Sequence, residues 1–325
     1  MSNTTHVNLL KQVIKPSVME RNESSGDFIL LGFSDRPKLE MVLFFTNMVF
    51  YLLAVMGNSS IIFLSLVDPR LHRPMYFFLC NLSLLDLCYT SSSIPQMLVN
   101  LWGPEKTITY MDCVIQLFAF LSVGGIECIL LSVMAYDRFV AVCKPLHYMA
   151  IMHPQLCLRL AACAWLPGIA NSILMSPVTM SLERCGHRRI NHFVCEMPAV
   201  IHISCVDTSR LSLAMGAIPF ALMAPMLVLI SYTFIAKAVL KLPSADGKYK
   251  ALSTCSSHLV VVIMYFGPAI YMYLQPPANS TQAKFMSFFY CVITPLLNPL
   301  IYTLRNKDVK RAWKRILQPQ SEVKS

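Results

Sequence analysis

Seven long apolar runs, each with at most one charged residue, constrain the fold of this chain more than any other feature of its sequence. A membrane-spanning helix needs about 20 mostly apolar residues. The runs that reach this length cover residues 41–66, 74–101, 113–136, 160–182, 211–236, 252–283 and 285–304. Lipid offers no partner to backbone N–H and C=O groups, so the runs must form helices. The sequence therefore predicts an all-α membrane protein with a seven-transmembrane helix bundle.

The composition agrees with this class and argues against an enzyme. The chain is 55 % hydrophobic and 14 % charged, whereas soluble domains contain about 25 % charged residues. The net charge of +10 does not indicate nucleic acid, because the basic residues border the apolar runs. They favour anionic lipid headgroups and cytosolic proteins as partners. The sequence has no phosphate-binding glycine loop, zinc-binding spacing or catalytic triad pattern, so we expect no enzymatic activity and no cofactor.

The charges of the short loops predict the orientation. Lys and Arg gather on the side that also holds the C-terminal tail, and such residues mark the cytoplasmic side. We therefore expect a plasma-membrane protein with an extracellular tail (1–40), a seven-helix bundle (41–304) and a cytoplasmic tail (305–325). Asn3 and Asn22 begin glycosylation acceptor tripeptides in the extracellular tail. In the other tail, residues 306–316 place Val309, Ala312 and Trp313 on one face and basic residues on the other. This pattern predicts a short amphipathic helix on the inner leaflet.

Short sequence motifs connect the chain to a known family. The third run ends in MAYDRFVAVCKPLHY (134–148), in which Asp137 and Arg138 stand where the helix should leave the lipid. LHRPMYFFL (71–79) enters the second run, KALSTCSSHL (250–259) opens the sixth and PLLNPLIYTLRN (295–306) closes the seventh. From about residue 28 to 316 the chain resembles the olfactory receptors, which are rhodopsin-like G-protein-coupled receptors. It departs from the family pattern at Phe139, where Tyr is usual, and at Tyr265-Phe266-Gly267, where Phe-Tyr-Gly is more common.

The resemblance implies a set of activation residues. Arg138 would be the switch of the class, held by Asp137 in the resting state. Asn298 and Pro299 lie in the seventh run, where Pro299 removes a helical hydrogen bond and bends the helix. The resemblance implies that Tyr302 then swings inward to meet Tyr232 and Arg138 when the cytoplasmic end opens. The alternative is that the two tyrosines are ordinary interfacial aromatic residues.

Two acids fall inside the apolar runs. Asp86 and Glu127, together with Asn58 and Asn298, predict a polar network through the bundle whose rearrangement can separate two helix arrangements. The class resemblance implies that a sodium ion or protons occupy this network in the resting state. A simpler alternative is that each acid is a protonated, hydrogen-bonded structural residue.

The cysteines fall into two sets. Eight lie in the apolar runs or on the cytosolic side and are expected to be free thiols, whereas Cys113, Cys185, Cys195 and Cys205 lie on the outer side. Four outer cysteines imply two disulfides with three possible pairings. The resemblance selects Cys113 with Cys195 and Cys185 with Cys205. For the histidines and arginines of the same loop (187–192), we expect a solvated basic segment and no metal site.

The resemblance implies an odorant receptor that binds a small volatile molecule and activates a stimulatory, cAMP-raising olfactory-type G protein. By their positions on the helices, the expected ligand contacts are nearly all apolar, as suits a hydrophobic ligand. They are Phe120, Leu121, Gly124, Gly216, Phe220, Phe266, Ile270, Tyr273 and Phe288. The outer part of the sixth run lacks Arg and Lys, so we expect neutral ligands to be preferred over carboxylates, with Tyr273 donating a hydrogen bond.

Two alternatives share part of this evidence. A rhodopsin-like receptor for an amine or a peptide would have the same fold, but an amine receptor should carry an acid near Phe120, and the third run has none there. A transporter or channel should show broken helices, repeats or a path of several acids.

Overall fold

The computed structural model describes residues 27–34, 36–205, 222–274, 281–305 and 307–317, and within them the chain is a bundle of seven helices followed by a shorter one. We number the bundle helices α1 to α7 and the last helix α8. Their bounds are Pro37–Val67 (α1), Pro74–Trp102 (α2), Tyr110–Cys143 (α3), Pro154–Met180 (α4), Ala224–Leu240 (α5), Ala245–Leu274 (α6), the consecutive segments Thr281–Phe288, Phe289–Ile293 and Thr294–Arg305 (α7), and Lys307–Leu317 (α8). The predicted seven-helix transmembrane bundle is confirmed.

Six of these helices are long and apolar enough to cross a membrane. The other, α5, is apolar but has 17 residues, because the first part of its predicted run lies outside the described residues. The bounds of the helices differ from those of the apolar runs that predicted them: α6, for example, ends at Leu274 and not at 283. α3 continues past residue 136 to Cys143, because Asp137 and Arg138 are buried and paired and so do not end the helix. α7 begins at Thr281 and contains Lys284, a charged residue that the predicted boundary between the sixth and seventh runs left out.

Local sequence signals set the helix starts. Proline occupies the first turn of α1, α2 and α4, where its fixed φ and missing N–H cost nothing. α3 begins with a capping hydrogen bond, in which the amide of Asp112 donates to the hydroxyl of Thr109 over 3.1 Å. These signals place the loops within a few residues of the ends of the apolar runs.

α3 lies at the centre of the bundle. Most of its apolar stretch is buried within the protein, whereas most of α1 faces outward. Gly168 of α4 allows the closest approach, since a Cβ atom there would lie 2.5 Å from the side chain of Ile126 in α3. Gly57 of α1 similarly faces Pro299 of α7, whose ring would lie 3.0 Å from an added Cβ. Small residues therefore hold α4 against α3 and α1 against α7.

Two disulfides mark one end of the bundle, which we call the disulfide end, and the opposite end is the Arg138 end. Cys113, at the start of α3, is bonded to Cys195, and Cys185 is bonded to Cys205. These are the two pairs that the resemblance implies. The first bond joins residues 82 positions apart and fixes the α4–α5 loop to α3.

A small sheet covers the disulfide end, and the sequence analysis did not predict it. Strands β1 (Phe28–Leu30), β2 (Thr107–Ile108) and β3 (Arg189–Ile190) pair in the order β2-β1-β3, with β1 antiparallel to β2 and parallel to β3. The chain turns after β1 at Gly32, whose φ of +51° is readily adopted only by glycine. Lys284 of α7 donates to the carbonyl of Gly32 and so connects this turn to the bundle.

α8 comes after α7 at the Arg138 end. Val309 and Ala312 are buried, and Trp313 and Ile316 pack against the main core, so the predicted apolar face contacts the bundle. The predicted amphipathic C-terminal helix is confirmed.

Candidate functional site

A chain of polar contacts connects α1, α2 and α7 in the bundle interior. The amide of Asn298 donates to both carboxylate oxygens of Asp86, over 3.2 and 3.1 Å. Asn58 donates to the carbonyl of Pro295 over 3.0 Å, about one helical turn before Pro299. Asn58 and Asp86, two of the residues expected to share a polar network, thus contact α7 within one helical turn, where Asn298 is the third.

Between this network and the disulfide end lies an interhelical cavity of about 110 Å³. α2, α3, α6, α7 and the α4–α5 loop contribute its walls. Its described lining residues are Asp86, Tyr89, Phe120, Leu121, Gly124, Glu127, Glu196, Met197, Pro198, Tyr265, Ala269, Tyr290, Thr294 and Pro295. The cavity therefore touches both the expected ligand residues of α3 and the expected ion-site acids.

The structure divides the predicted ligand contacts into three groups. Phe120, Leu121 and Gly124 line the cavity. The second group, Phe266, Ile270 and Phe288, belongs to the main core or packs against it, without being among the described lining residues. The third group falls outside what the structure describes: Gly216 and Phe220 entirely, and the side chain of Tyr273 in α6. The two glycosylation candidates, Asn3 and Asn22, also lie outside the described residues.

The lining of the interhelical cavity is more acidic than the predicted ligand contacts, which are nearly all apolar. Asp86, Glu127 and Glu196 all face the cavity, and its described lining residues include no Lys, Arg or His. The third run carries no acid beside Phe120, but the cavity that Phe120 lines also contains Glu127, two turns further along α3, and Glu196 of the α4–α5 loop. Glu196 was missed because a loop residue has no helical periodicity that would place it, although it directly follows Cys195.

Glu196 is held by one hydrogen bond and lies close to a buried histidine. The hydroxyl of Tyr290 in α7 donates to one of its carboxylate oxygens, and Nε2 of His192 lies 2.9 Å from the other. The neighbouring amide of Cys195 donates to Gln116 of α3 over 2.6 Å. Both Glu196 and His192 are buried. The disulfide and these contacts fix the carboxylate at the ceiling of the cavity.

Tyr265 joins α6 to α3 beside the cavity. Its hydroxyl donates to the carbonyl of Gly124 over 2.7 Å and lies 3.3 Å from the sulfur of Cys128. The unusual order Tyr265-Phe266 thus directs a hydroxyl to α3 at position 265. Phe266 is buried and packs edge-on against the ring of Tyr265.

Several buried oxygens around the cavity floor have no hydrogen-bond partner within the described part of the protein. They belong to Glu127 (Oε1), Thr294 (Oγ1) and Asn298 (Oδ1). Buried polar groups of this kind are normally satisfied by protein, water or an ion. The donor set of carboxylate, hydroxyl and amide oxygens fits a hard cation such as sodium or an ordered water.

The Arg138 end contains a separate cavity of about 350 Å³, lined by Arg138, Asp137, Tyr148, His258 and Tyr302 among others. Arg138 donates to one carboxylate oxygen of Asp137, and Tyr148 donates to the other over 2.7 Å. Burial and the nearby carboxylate raise the pKa of Tyr148, so its hydroxyl keeps the proton that it donates. The predicted Asp137–Arg138 pair is therefore present, with Tyr148 as an additional partner that the sequence analysis did not name.

A buried histidine links three helices at this end. His258 of α6 contacts the hydroxyl of Tyr232 in α5 over 2.9 Å and the carbonyl of Leu131 in α3 over 3.1 Å. The tyrosine hydroxyl also donates to the carbonyl of Cys255. Tyr302 is buried, and its hydroxyl has no hydrogen-bond partner among the described residues. Tyr232 is thus engaged with α6, and Tyr302 has an unused donor facing the Arg138 cavity.

Comparison with known proteins identifies the family. The olfactory receptor family model matches residues 47–320. "Olfactory receptor 2C1" of Mus musculus is 55 % identical over 303 residues, which cover 92 % of this chain and 97 % of the relative. "Olfactory receptor 2W1" of Homo sapiens is 53 % identical over 295 residues, covering 90 % of this chain and 92 % of the relative. "Olfactory receptor 2W3" of Homo sapiens is 55 % identical over 304 residues, covering 91 % and 96 %.

These matches cover the helices that carry both cavities, and they agree with the motifs found in the sequence. Members of this family are G-protein-coupled receptors, which sets aside an enzyme and a transporter. The chain belongs to the olfactory receptor family.

Proposed function

We propose that this protein is an odorant receptor whose ligand occupies the interhelical cavity and whose Arg138 end activates a stimulatory, cAMP-raising olfactory-type G protein. The observation that carries the proposal is the cavity itself. It lies beneath a disulfide-fixed loop and touches α3 and α6, which are joined to each other again at the Arg138 end. A molecule in this place contacts the helices whose separation would open the Arg138 cavity.

The orientation supports this use. The Arg138 end carries the turn with Arg70 and Arg73 and the basic helix α8, and positive loops favour the cytoplasmic side. The disulfides lie at the other end, as suits an oxidising exterior. We therefore place the C-terminus in the cytosol and the N-terminal tail, with the acceptor sites Asn3 and Asn22, outside the plasma membrane.

The cavity favours a small, uncharged ligand. At about 110 Å³ it is below the usual volume of drug-sized pockets, which fits a volatile molecule. Phe120, Leu121 and Met197 supply apolar surface, while Glu127 and Glu196 supply hydrogen-bond acceptors. A ligand with an apolar body and one hydroxyl group satisfies both. A carboxylate ligand would be buried among carboxyl groups, with no basic group among the described lining residues, at a cost of several kcal/mol.

The same acids favour a second candidate, a receptor for a volatile amine. A protonated amine can pair with Glu127 or Glu196, and the pairing would offset much of its desolvation cost. The alternative of an amine receptor, which the sequence alone disfavoured, therefore gains support from the position of Glu196. A peptide ligand gains none, because the cavity is too small.

Ligand binding is coupled to the Arg138 end through α6. Tyr265 and His258 are seven residues apart in α6, and their acceptors, Gly124 and Leu131, are seven residues apart in α3. Two turns of helix separate the two contacts by about 10 Å. The receptor exchanges between an arrangement with α6 against α3 and one with the two helices apart. A ligand that binds the second arrangement more tightly increases its population, by as much as the difference in affinity allows. Tyr232 then leaves His258, and Tyr302 can reach Arg138, which frees the Arg138 cavity for a G protein.

The polar floor of the cavity has its own proposed role. Asn58, Asp86, Glu127 and Asn298 would hold a sodium ion or an ordered water in the resting arrangement, and a change in α7 near Pro299 would remove it. Removal of sodium should then increase the ligand-free signal, whereas Asp86→Asn should make that signal insensitive to sodium.

The direct test is a cAMP assay in cells that express the chain, with a panel of neutral, amine and acid volatiles. Two lines should be compared, one with the stimulatory olfactory-type G protein and one in which it is deleted. We expect neutral or amine volatiles to raise cAMP in the first line only. Responses that persist without the G protein, or a panel without any response from a receptor shown to reach the surface, would contradict the proposal.

A further inference from the structure

The Arg138 end contains a second cavity, separate from the one that Arg138 lines. It has a volume of about 490 Å³ and lies between the loop that joins α1 to α2, the short helix Tyr148–Ile151 and α8. We call it the α8 cavity. Four arginines line it, namely Arg70, Arg73, Arg311 and Arg315, with His72 beside them. Two segments far apart in the chain thus bring their guanidinium groups to one place.

Two aspartates organise these arginines. Asp68 is buried at the start of the 3₁₀ turn Pro69–Leu71, where it accepts from the amide of Arg70 over 3.0 Å and from the side chain of Arg315. The hydrogen bond from Arg315 lowers the pKa of Asp68. Asp308 accepts from Tyr76 of α2 over 3.3 Å, which fixes the first turn of α8 against the bundle. Asp68, beside the first loop, and Asp308, in α8, therefore each tie α8 to the part of the bundle that faces it across the cavity.

The arginines keep most of their hydrogen-bonding capacity. Arg73 and Arg311 approach Asp308 at 3.7 and 3.6 Å, and their side chains are 59 % and 67 % exposed. Each guanidinium has five N–H donors, so one long contact leaves most of them available. Four arginines against Asp68 and Asp308 leave an excess of two positive charges. Such a cluster is suited to bidentate contacts with phosphate groups.

The position of the α8 cavity indicates that a phosphate ligand would come from the membrane lipids. α1 ends and α2 begins beside it, and the apolar face of α8 packs on the bundle. Met149 lines it and is exposed, as is the nearby Leu146. Basic residues and exposed apolar side chains at the end of membrane helices lie at the level of the lipid headgroups.

We propose that the α8 cavity binds the headgroup of a polyphosphorylated inositol lipid from the inner leaflet. The proposal rests on the cytoplasmic orientation that the proposed function assigns to the Arg138 end. The phosphates contact Arg70, Arg73 and Arg311, while Arg315 remains paired with Asp68. The lipid thereby joins the first loop to α8 and adds to the contacts that Asp308 already makes.

Lipid binding to the purified full-length receptor tests the proposal. The receptor is placed in nanodiscs of phosphatidylcholine containing either phosphatidylinositol 4,5-bisphosphate or phosphatidylserine at equal total charge, and bound lipid is counted by native mass spectrometry. We expect selective retention of the bisphosphate lipid. Arg73→Gln with Arg311→Gln should reduce retention at least about tenfold, since hydrogen bonds between charged groups are stronger than those between neutral groups.

A matched control separates the site from general attraction. Lys310 and Lys314 lie on α8, are exposed and do not line the cavity. Replacing both by Gln removes the same charge and should change retention less than about twofold, because neither side chain lines the cavity and each would act only through screened, long-range attraction. Equal losses in the two double variants would overturn the proposal. Arg70→Gln, which leaves both aspartate contacts intact, should also reduce retention, and an unchanged value would count against the site.

A soluble competitor distinguishes the two sources of phosphate. Inositol 1,4,5-trisphosphate should displace the lipid only weakly, and displacement at the concentration of the lipid itself would assign the site to a free inositol phosphate. The assay uses neither an odorant nor cAMP. A receptor that retains the lipid but never raises cAMP would overturn the proposed function and leave this proposal standing.

Discussion

The two ends of the bundle are held together by different kinds of contact. At the disulfide end, two covalent bonds, a three-stranded sheet and the partly buried salt bridge between Lys106 and Glu40 connect the loops to the helices. At the Arg138 end, α6 meets α3 through the side chain of His258, and it meets α5 through the Tyr232 hydroxyl, which contacts His258 and the carbonyl of Cys255. The Asp137–Arg138 pair lies within α3 and does not join two helices.

This difference matches two different tasks. A ligand cavity gains affinity when its walls are already in place, because less ordering is needed on binding. An end that must open is better closed by contacts that cost a few kcal/mol to break, since a two-state element needs a small free-energy gap. Covalent fixation at one end and hydrogen bonds at the other therefore favour movement at the Arg138 end.

The largest effect is expected from Arg138→Ala, which removes the charged group of the end that we propose to open. The variant should reach the cell surface and give no odorant-evoked cAMP. The proposed open arrangement would then lack the guanidinium group that meets Tyr302 and a G protein. Arg159→Ala, at an exposed position near the start of α4, is the matched control and should respond normally. Surface staining and cAMP on the same cells provide the measurement, and a normal response from Arg138→Ala would contradict the assignment.

The next largest effect concerns the covalent end. Cys113→Ser and Cys195→Ser should each cause the same loss of surface expression or response, and the double variant should be no worse, because all three remove one bond. Cys185→Ser should be milder, since the Cys185–Cys205 bond closes a separation of 20 residues against 82. Cys163→Ser, at an exposed free thiol, serves as the control. Equal damage from Cys163→Ser would show that the loss does not report on the disulfides.

Ligand charge tests the acidic cavity at the disulfide end. Neutral alcohols should be more potent than carboxylic acids of the same carbon skeleton by about two orders of magnitude at neutral pH, as a cost of several kcal/mol implies. Glu196→Gln should narrow this difference, whereas Glu183→Gln, in the same loop but away from the lining, should not. Dose–response curves for matched pairs decide the matter, and acids that are consistently more potent would reveal a cation near the bound ligand.

The smallest effect is expected from the contact between Tyr265 of α6 and α3, which lies between the two ends of the bundle. Tyr265→Phe removes the hydrogen bond to Gly124, and a typical bond contributes about 0.5–1.5 kcal/mol. Ligand-free cAMP should therefore rise by roughly two- to tenfold. Tyr271→Phe, whose hydroxyl contacts the exposed side chain of Gln282, should leave it unchanged. A lower ligand-free signal in Tyr265→Phe would mean that this bond stabilises the active arrangement instead.

The helices show how far helical position alone can place a residue in the wall of the interhelical cavity. The predictions placed Phe120, Leu121 and Gly124 on the inner face of α3, and all three line the cavity. In α6 the predicted residues are Phe266 and Ile270, whereas Tyr265 and Ala269 are the ones that line the cavity. The two pairs have the same four-residue spacing and differ by one position, which is about 100° of rotation around the helix axis. Periodicity gives the pair but does not fix which of two neighbouring faces points inward.

α7 adds a change of helical register. Residues Phe289–Ile293 form a π-helical turn, which inserts part of an extra residue and rotates the first segment of α7 relative to its last segment. Tyr290 and Thr294 line the cavity, while the predicted Phe288 packs against the core. A π turn depends on contacts with neighbouring helices, so a count of residues along the sequence does not reveal it.

By itself, the sequence determined the class of protein, because apolar runs of membrane length and the family motifs depend only on local residue order. It also indicated the acids Asp86 and Glu127, the switch pair Asp137 and Arg138, and the set of four outer cysteines. The tertiary structure alone decided that Glu196 enters the cavity of Phe120, that strands of two and three residues form a sheet, and that arginines from two distant segments meet beside α8. These features join residues far apart in the chain, and their free energy comes from long-range packing and pairing, which leaves no period or motif in the sequence.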